Sequence, residues 1–138
     1  MDRALIYLAL VAYFYDGSVR EVLREEVGVD MSNCDLSALR ASLLRKDYDG
    51  VTRSLLPRVL TEFYENCGYT PAGEPDSLVT MLAFMAQLAV RPDTLKIQHR
   101  FLNVHLIPTV RFAVEICPGL KPLLEILEED LEVVRGQL

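Results

Sequence analysis

The sequence predicts an all-α fold, a single-domain helical bundle of about seven or eight helices spanning residues 1–138. Three observations carry that prediction. Apolar residues recur at three- and four-residue spacing through most of the chain, Gly and Pro fall mostly between these periodic stretches, and no strand-like alternation competes with them. Hydrophobic residues make up 51% of the chain and charged residues 25%, which excludes a disordered segment or a fibre. A chain of this length buries roughly two thirds of its unfolded surface, enough for a core without metals or disulfides.

The elements follow in order. Ala4 to Tyr15 is an apolar run read as a buried helix. A secretory signal fits it less well, because Asp2 offsets Arg3, the run holds three tyrosines, and no small-x-small cleavage site precedes Asp16-Gly17. After that turn, Ser18-Val19-Arg20-Glu21 has the form of a capping box, and Gly28 suits the end of the helix it opens. Asp30 to Asn33 is loop-like. Asp35 can cap a short helix carrying Leu36, Leu39, Leu43 and Leu44, and Tyr48-Asp49-Gly50 is a further turn. From Val51 to Cys67 the apolar set Leu55, Leu56, Val59, Leu60 and Phe63 has helical period, with Pro57 a kink or a late start.

Gly68 to Gly73 is the most loop-like stretch. Pro75 suits a first helical position and Asp76 the first turn of a helix running to Ala89. That helix is apolar nearly all round, which marks it as central. Arg91-Pro92-Asp93 ends it. Thr94 opens another helix through Ile97, Phe101, Leu102 and His105, which Pro108 should kink or divide. Pro118-Gly119 ends its continuation. The last helix carries the stripe Leu120, Leu123, Leu124, Leu127, Leu131 and Val134, with Glu128, Glu129 and Asp130 outside it.

Charge excludes more than it selects. With 14 Lys and Arg against 20 Asp and Glu, the net charge is −6, which argues against nucleic acid or an anionic membrane surface as a partner. The longest stretch free of Asp, Glu, Lys and Arg is the 14 residues Ser77–Val90, too short for a membrane span of about 20, so no membrane insertion is expected. Cys34, Cys67 and Cys117 are odd in number and form no CxxC pair. That predicts free thiols in a reducing cytoplasm rather than a disulfide framework or a zinc site.

Four blocks in the middle of the chain carry a resemblance. They are Val59, Phe63-Tyr64 and Cys67-Gly68; then Glu74-Pro75-Asp76-Ser77-Leu78; then Met81-Leu82-Ala83-Phe84-Met85-Ala86-Gln87-Leu88; and last Phe101-Leu102-Asn103-Val104-His105-Leu106-Ile107-Pro108-Thr109 with Phe112. In this order they resemble the FYxxxG-like turn, the acidic-Pro-Asp-His-Leu loop, the EL-x-FM-x-x-L helix and the FLxxHLxxW block of the TorD/DmsD/NarJ family of molybdoenzyme assembly chaperones. The blocks fall within a span of 54 of the 138 residues, Val59 to Phe112. Ser77 stands where that family usually has His, Thr109 replaces the usual Trp, and Met81 replaces an acidic residue. The region before Val59 is shorter than members usually carry.

The resemblance implies a TorD-like cytoplasmic chaperone, not an enzyme, with no cofactor of its own. Its partner would be a molybdoenzyme catalytic subunit or that subunit's twin-arginine signal peptide, and it would be a monomer or a domain-swapped homodimer hinged at Gly68–Gly73. A signal peptide offers an arginine pair followed by an apolar stretch, so its receptor needs carboxylates beside an apolar groove. Glu74 and Asp76, flanking Pro75 and followed by Ser77, are the acidic candidates; Asp76 as a helix cap and Glu74 as a solvated charge are the alternatives. His105 can line the same groove or be a hydrogen-bonded core histidine. Phe84 and Met85 can floor an adaptable groove or fill the core. Tyr64 and Tyr69 can stack on arginine or simply pack.

No enzymatic constellation competes. His99 and His105 are six residues apart and do not share a helix face. GxSxG, HExxH and a glycine-rich phosphate loop are all missing from the sequence. The remaining rival is a helical protein-interaction or regulatory domain with a different partner, including one that dimerises through the C-terminal Leu stripe.

Overall fold

The computed structural model describes residues 2–138 and is all-helical. Nine α-helical stretches follow one another: α1 (Arg3–Ala12), α2 (Gly17–Glu26), α3 (Ala41–Leu44), α4 (Gly50–Ser54), α5 (Leu56–Asn66), α6 (Leu78–Ala89), α7 (Leu95–Phe101), α8 (Ile107–Ile116) and α9 (Lys121–Gln137). A π-helical turn at Leu102–Leu106 joins α7 and α8 into one rod, leaving eight separate helices.

The central helix is α6. Leu78, Met81, Leu82, Phe84, Met85 and Leu88 are all buried, because α6 packs along α1 on one side and against α7 and the π turn on the other. Tyr64, Phe84 and Phe101 form its aromatic heart, with ring centroids 4.7 Å (Tyr64–Phe84) and 4.8 Å (Phe84–Phe101) apart. Such offset and edge contacts add to simple area burial. In α9, Leu123, Leu127, Leu131 and Val134 face inward at the expected spacing.

Several local expectations are corrected. Helix α2 opens two residues earlier than the capping box implies: Asp16 is the N-cap, accepting from the Ser18 amide and from the Ser18 hydroxyl. A carboxylate placed two residues before that amide captures the hydroxyl as well, so Ser18 becomes a donor to the cap instead of the cap. Asp35 caps only the short 3₁₀ turn Leu36–Ala38, and the chain then extends through Arg40 before α3. Pro57 belongs to the first turn of α5, after a break at Leu55 that separates it from α4. Helix α6 begins at Leu78 with Ser77 as its N-cap, so Pro75 and Asp76 lie outside it.

At Pro108 the rod stays continuous. Proline has no N–H to offer the Val104 carbonyl one turn back. The chain widens into the π turn there, and the buried Arg45 donates to that carbonyl from 2.9 Å.

The cysteine expectation is also corrected. Cys34 and Cys117, 83 residues apart in sequence, are joined by a disulfide across a Cα–Cα distance of 5.6 Å, and Cys67 remains free. Beside the bridge the Asp30 amide donates to the Gly119 carbonyl at 3.1 Å. A Cβ at Gly119 would overlap the Asp30 carbonyl, so only glycine fits this clasp. Among the described residues, no helix is long and apolar enough to cross a membrane.

Candidate functional site

The loop before α6 is tied by backbone bonds to the segment around Arg40 and the start of α3. The Ala41 amide donates to the Asp76 carbonyl and the Leu78 amide to the Leu39 carbonyl, each at 2.9 Å. Asp76 is fully buried there. One carboxylate oxygen accepts from Arg40 Nε at 3.1 Å and Nη2 at 2.8 Å, and the other accepts from the Ser42 amide at 2.9 Å and from its hydroxyl. Burial raises the Asp76 carboxyl pKa, but the bonds from Arg40 and Ser42 outweigh it and hold the group below the ordinary carboxylate range. The arginine that a carboxylate at this position calls for is supplied by the chain itself.

The other candidates are distributed as follows. Glu74 is exposed, with an oxygen 3.3 Å from Arg40. The Pro75 carbonyl accepts from the Tyr64 hydroxyl at 2.6 Å. Ser77 accepts from the Thr80 amide and donates to the Thr80 hydroxyl. Tyr69 is half-buried, its ring 5.4 Å from both Tyr64 and Phe84. Phe84 and Met85 have no exposed surface. His105 is buried with its ring 5.7 Å from Phe63 and from Phe101; burial first, then Arg45 and Arg100, lowers its pKa to about 4. The structure thus gathers Glu74, Asp76 and Ser77 at one loop, and packs Tyr69 and Phe84 beneath it as support.

A groove that the sequence reading did not single out lies between α1, α2 and α9, with a volume of about 730 Å³. Leu5, Ile6 and Ala9 of α1, Leu23 of α2 with Val27 just after it, and Ile126 and Val133 of α9 give it an apolar lining. Leu5 stays 62% exposed and Val133 46%. These are large apolar side chains left in water along one continuous surface, which is how partner sites look on small domains.

Carboxylates edge the groove. Asp130 is held by Arg3 in a two-pronged contact and by the Tyr7 hydroxyl, and Arg3 also donates to Gln98 at 2.7 Å. This network fixes α1 to α9 and α7. Burial first, then Asp130, keeps the Tyr7 phenol protonated far above its usual range. Asp2 caps α1 through the Ala4 amide and Glu129 is exposed; among the described residues neither has a cation within ion-pair distance. The arrangement can hold an apolar stretch in the groove and a positive group at its edge.

One sequence signal pointed here. Helix α1 is apolar on more faces than a helix packed on one side can bury: Ala4, Tyr7 and Leu10 go inward, and Leu5 and Leu8 remain outside. No protein-family model matches the chain.

Proposed function

We propose that this protein is an assembly chaperone of the TorD/DmsD/NarJ kind, receiving the N-terminal segment of a molybdenum-enzyme catalytic subunit. In this reading the groove between α1, α2 and α9 takes the apolar stretch of a twin-arginine signal, and Asp2 and Glu129 take the arginines. The observation that carries it is the pairing of an apolar groove with carboxylates that no cation of the described chain satisfies. The four sequence blocks from Val59 to Phe112 support the same family.

The work proposed is recognition, with no catalytic step. It moves the arginine-binding role away from Asp76, whose carboxylate is already filled by Arg40, and leaves Glu74 as a rim charge. The proposed setting is the cytoplasm, before export. A monomer, or a dimer swapped at Gly68–Gly73, fits the proposal equally, and light scattering separates the two.

The test is titration of a labelled peptide carrying an arginine pair followed by an apolar stretch, against the same peptide with a lysine pair. Bidentate recognition predicts tighter binding of the arginine peptide. Equal binding would end the arginine mechanism. Recovery of a molybdoenzyme subunit with the tagged protein from its native cell supports the partner class, and its absence there counts against the family assignment.

A further inference from the structure

We propose that a second cleft, between α5 and α7, docks an acidic amphipathic helix of a partner protein, seating an apolar side chain on Phe63 and Ile97 while Lys96 and Arg100 take carboxylates. The cleft measures about 410 Å³. Its floor is Val59, Phe63 and Ile97, its α7 edge is Lys96 and Arg100, and Glu62 is the one carboxylate in its lining.

The floor is rigid. Phe63 is half-buried, its inner side fixed against Phe84, Phe101 and His105 at centroid distances of 5.9, 5.4 and 5.7 Å. An apolar side chain docking there meets a surface already ordered by the core, which lowers the entropic cost of binding.

The edge commits the occupant's charge. Lys96 and Arg100 stand four residues apart on one face of α7, with Ile97 between them. Six other arginines of the chain already face carboxylates, namely Arg3, Arg24, Arg40, Arg45, Arg111 and Arg135. Lys96 and Arg100 are exposed and, among the described residues, have no carboxylate within 4.0 Å. On a chain of net charge −6 these cations oppose the prevailing sign, so beside the apolar floor they favour an acidic partner over a basic one. A partner helix with carboxylates four residues apart and an apolar residue between them reproduces the spacing. The inference stands independently of the signal-peptide reading, since the two sites share no residue.

The experiment is fluorescence anisotropy with a fluorescein-labelled helical peptide of leucine and glutamate, its glutamates at four-residue spacing, and a control in which lysine replaces glutamate. The glutamate peptide should bind, release as salt is raised, and weaken at least fivefold with Lys96→Glu plus Arg100→Glu. Both side chains are exposed, so the variant should keep the wild-type circular dichroism and melting temperature. Failure of the glutamate peptide to bind, equal binding of the lysine peptide, or a loss below fivefold in the folded variant would overturn the proposal.

Discussion

Replacing Asp76 by alanine separates a structural carboxylate from a ligand-binding one. The substitution removes the acceptor for two bonds from Arg40 and two from Ser42. Asp76 is fully buried, whereas the Arg40 side chain keeps 31% of its surface in water. The orphaned guanidinium can therefore rehydrate in part, which places the cost near the lower end of the range for a broken buried pair, about 3 kcal/mol. An unfolding entropy of about 2.1 cal/mol/K per residue converts this into a melting-temperature drop of about 10 °C for 138 residues. Urea and thermal melts followed by circular dichroism read it directly. A double-mutant cycle with Arg40→Met should show strong coupling, the second change costing little once the first is made. The carboxyl's folded pKa lies below its unfolded value, so its stabilisation is present above the unfolded pKa and lost as pH falls through the folded one. The wild type should therefore lose its advantage over Asp76→Ala in strong acid. A melting temperature unchanged within 2 °C, together with loss of arginine-peptide binding, would refute this reasoning and return Asp76 to the binding site.

Two further predictions concern elements that the same melts can probe. The Cys34–Cys117 bridge closes a span of 83 residues, for which loop entropy predicts up to about 4.5 kcal/mol. Calorimetry should show reduction lowering the melting temperature by as much as about 15 °C, and a shift under 3 °C would contradict a closed bridge at this position. His105, buried and neutral, has a folded pKa of about 4, so the unfolded chain binds its proton first as pH falls below about 6.5. Stability should decline between those values by about 3 kcal/mol, and His105→Gln should remove that component of the slope in urea titrations at several pH values.

Legibility in the sequence followed how local each determinant is. Helix α6 was evident because its run from Leu78 to Ala89 is apolar on every face, and α9 because its leucines keep strict helical spacing. Pro57 marked the start of α5 through the N–H it lacks, whereas Pro108 lies inside the continuous α7–α8 rod, where the π turn and Arg45 accommodate the missing N–H. Pairings between distant segments left no local trace. Arg40 and Asp76 are 36 residues apart, and Asp76 beside Pro75 has the pattern of a first-turn acid. Cys34 and Cys117 likewise meet only through the packing of the α2–α3 connection against the end of α8. The exposed Leu5 and Leu8 share one apolar run with the buried Tyr7 and Leu10, so periodicity could not tell the groove from the core. By sequence Phe84, Met85 and His105 suit either a groove or a core, and burial places all three inside.

The central claim is that an arginine-plus-apolar peptide lies between α1, α2 and α9. Photo-crosslinking tests it most directly, with a benzophenone in the apolar stretch of the twin-arginine peptide and mass-spectrometric mapping of the adducts. The account predicts adducts on Arg3–Ala12 and Lys121–Gln137, reduced in Asp2→Asn plus Glu129→Lys, where asparagine keeps the α1 cap while removing its charge. Adducts confined to Glu74–Ser77, or labelling indifferent to those two substitutions, would contradict it.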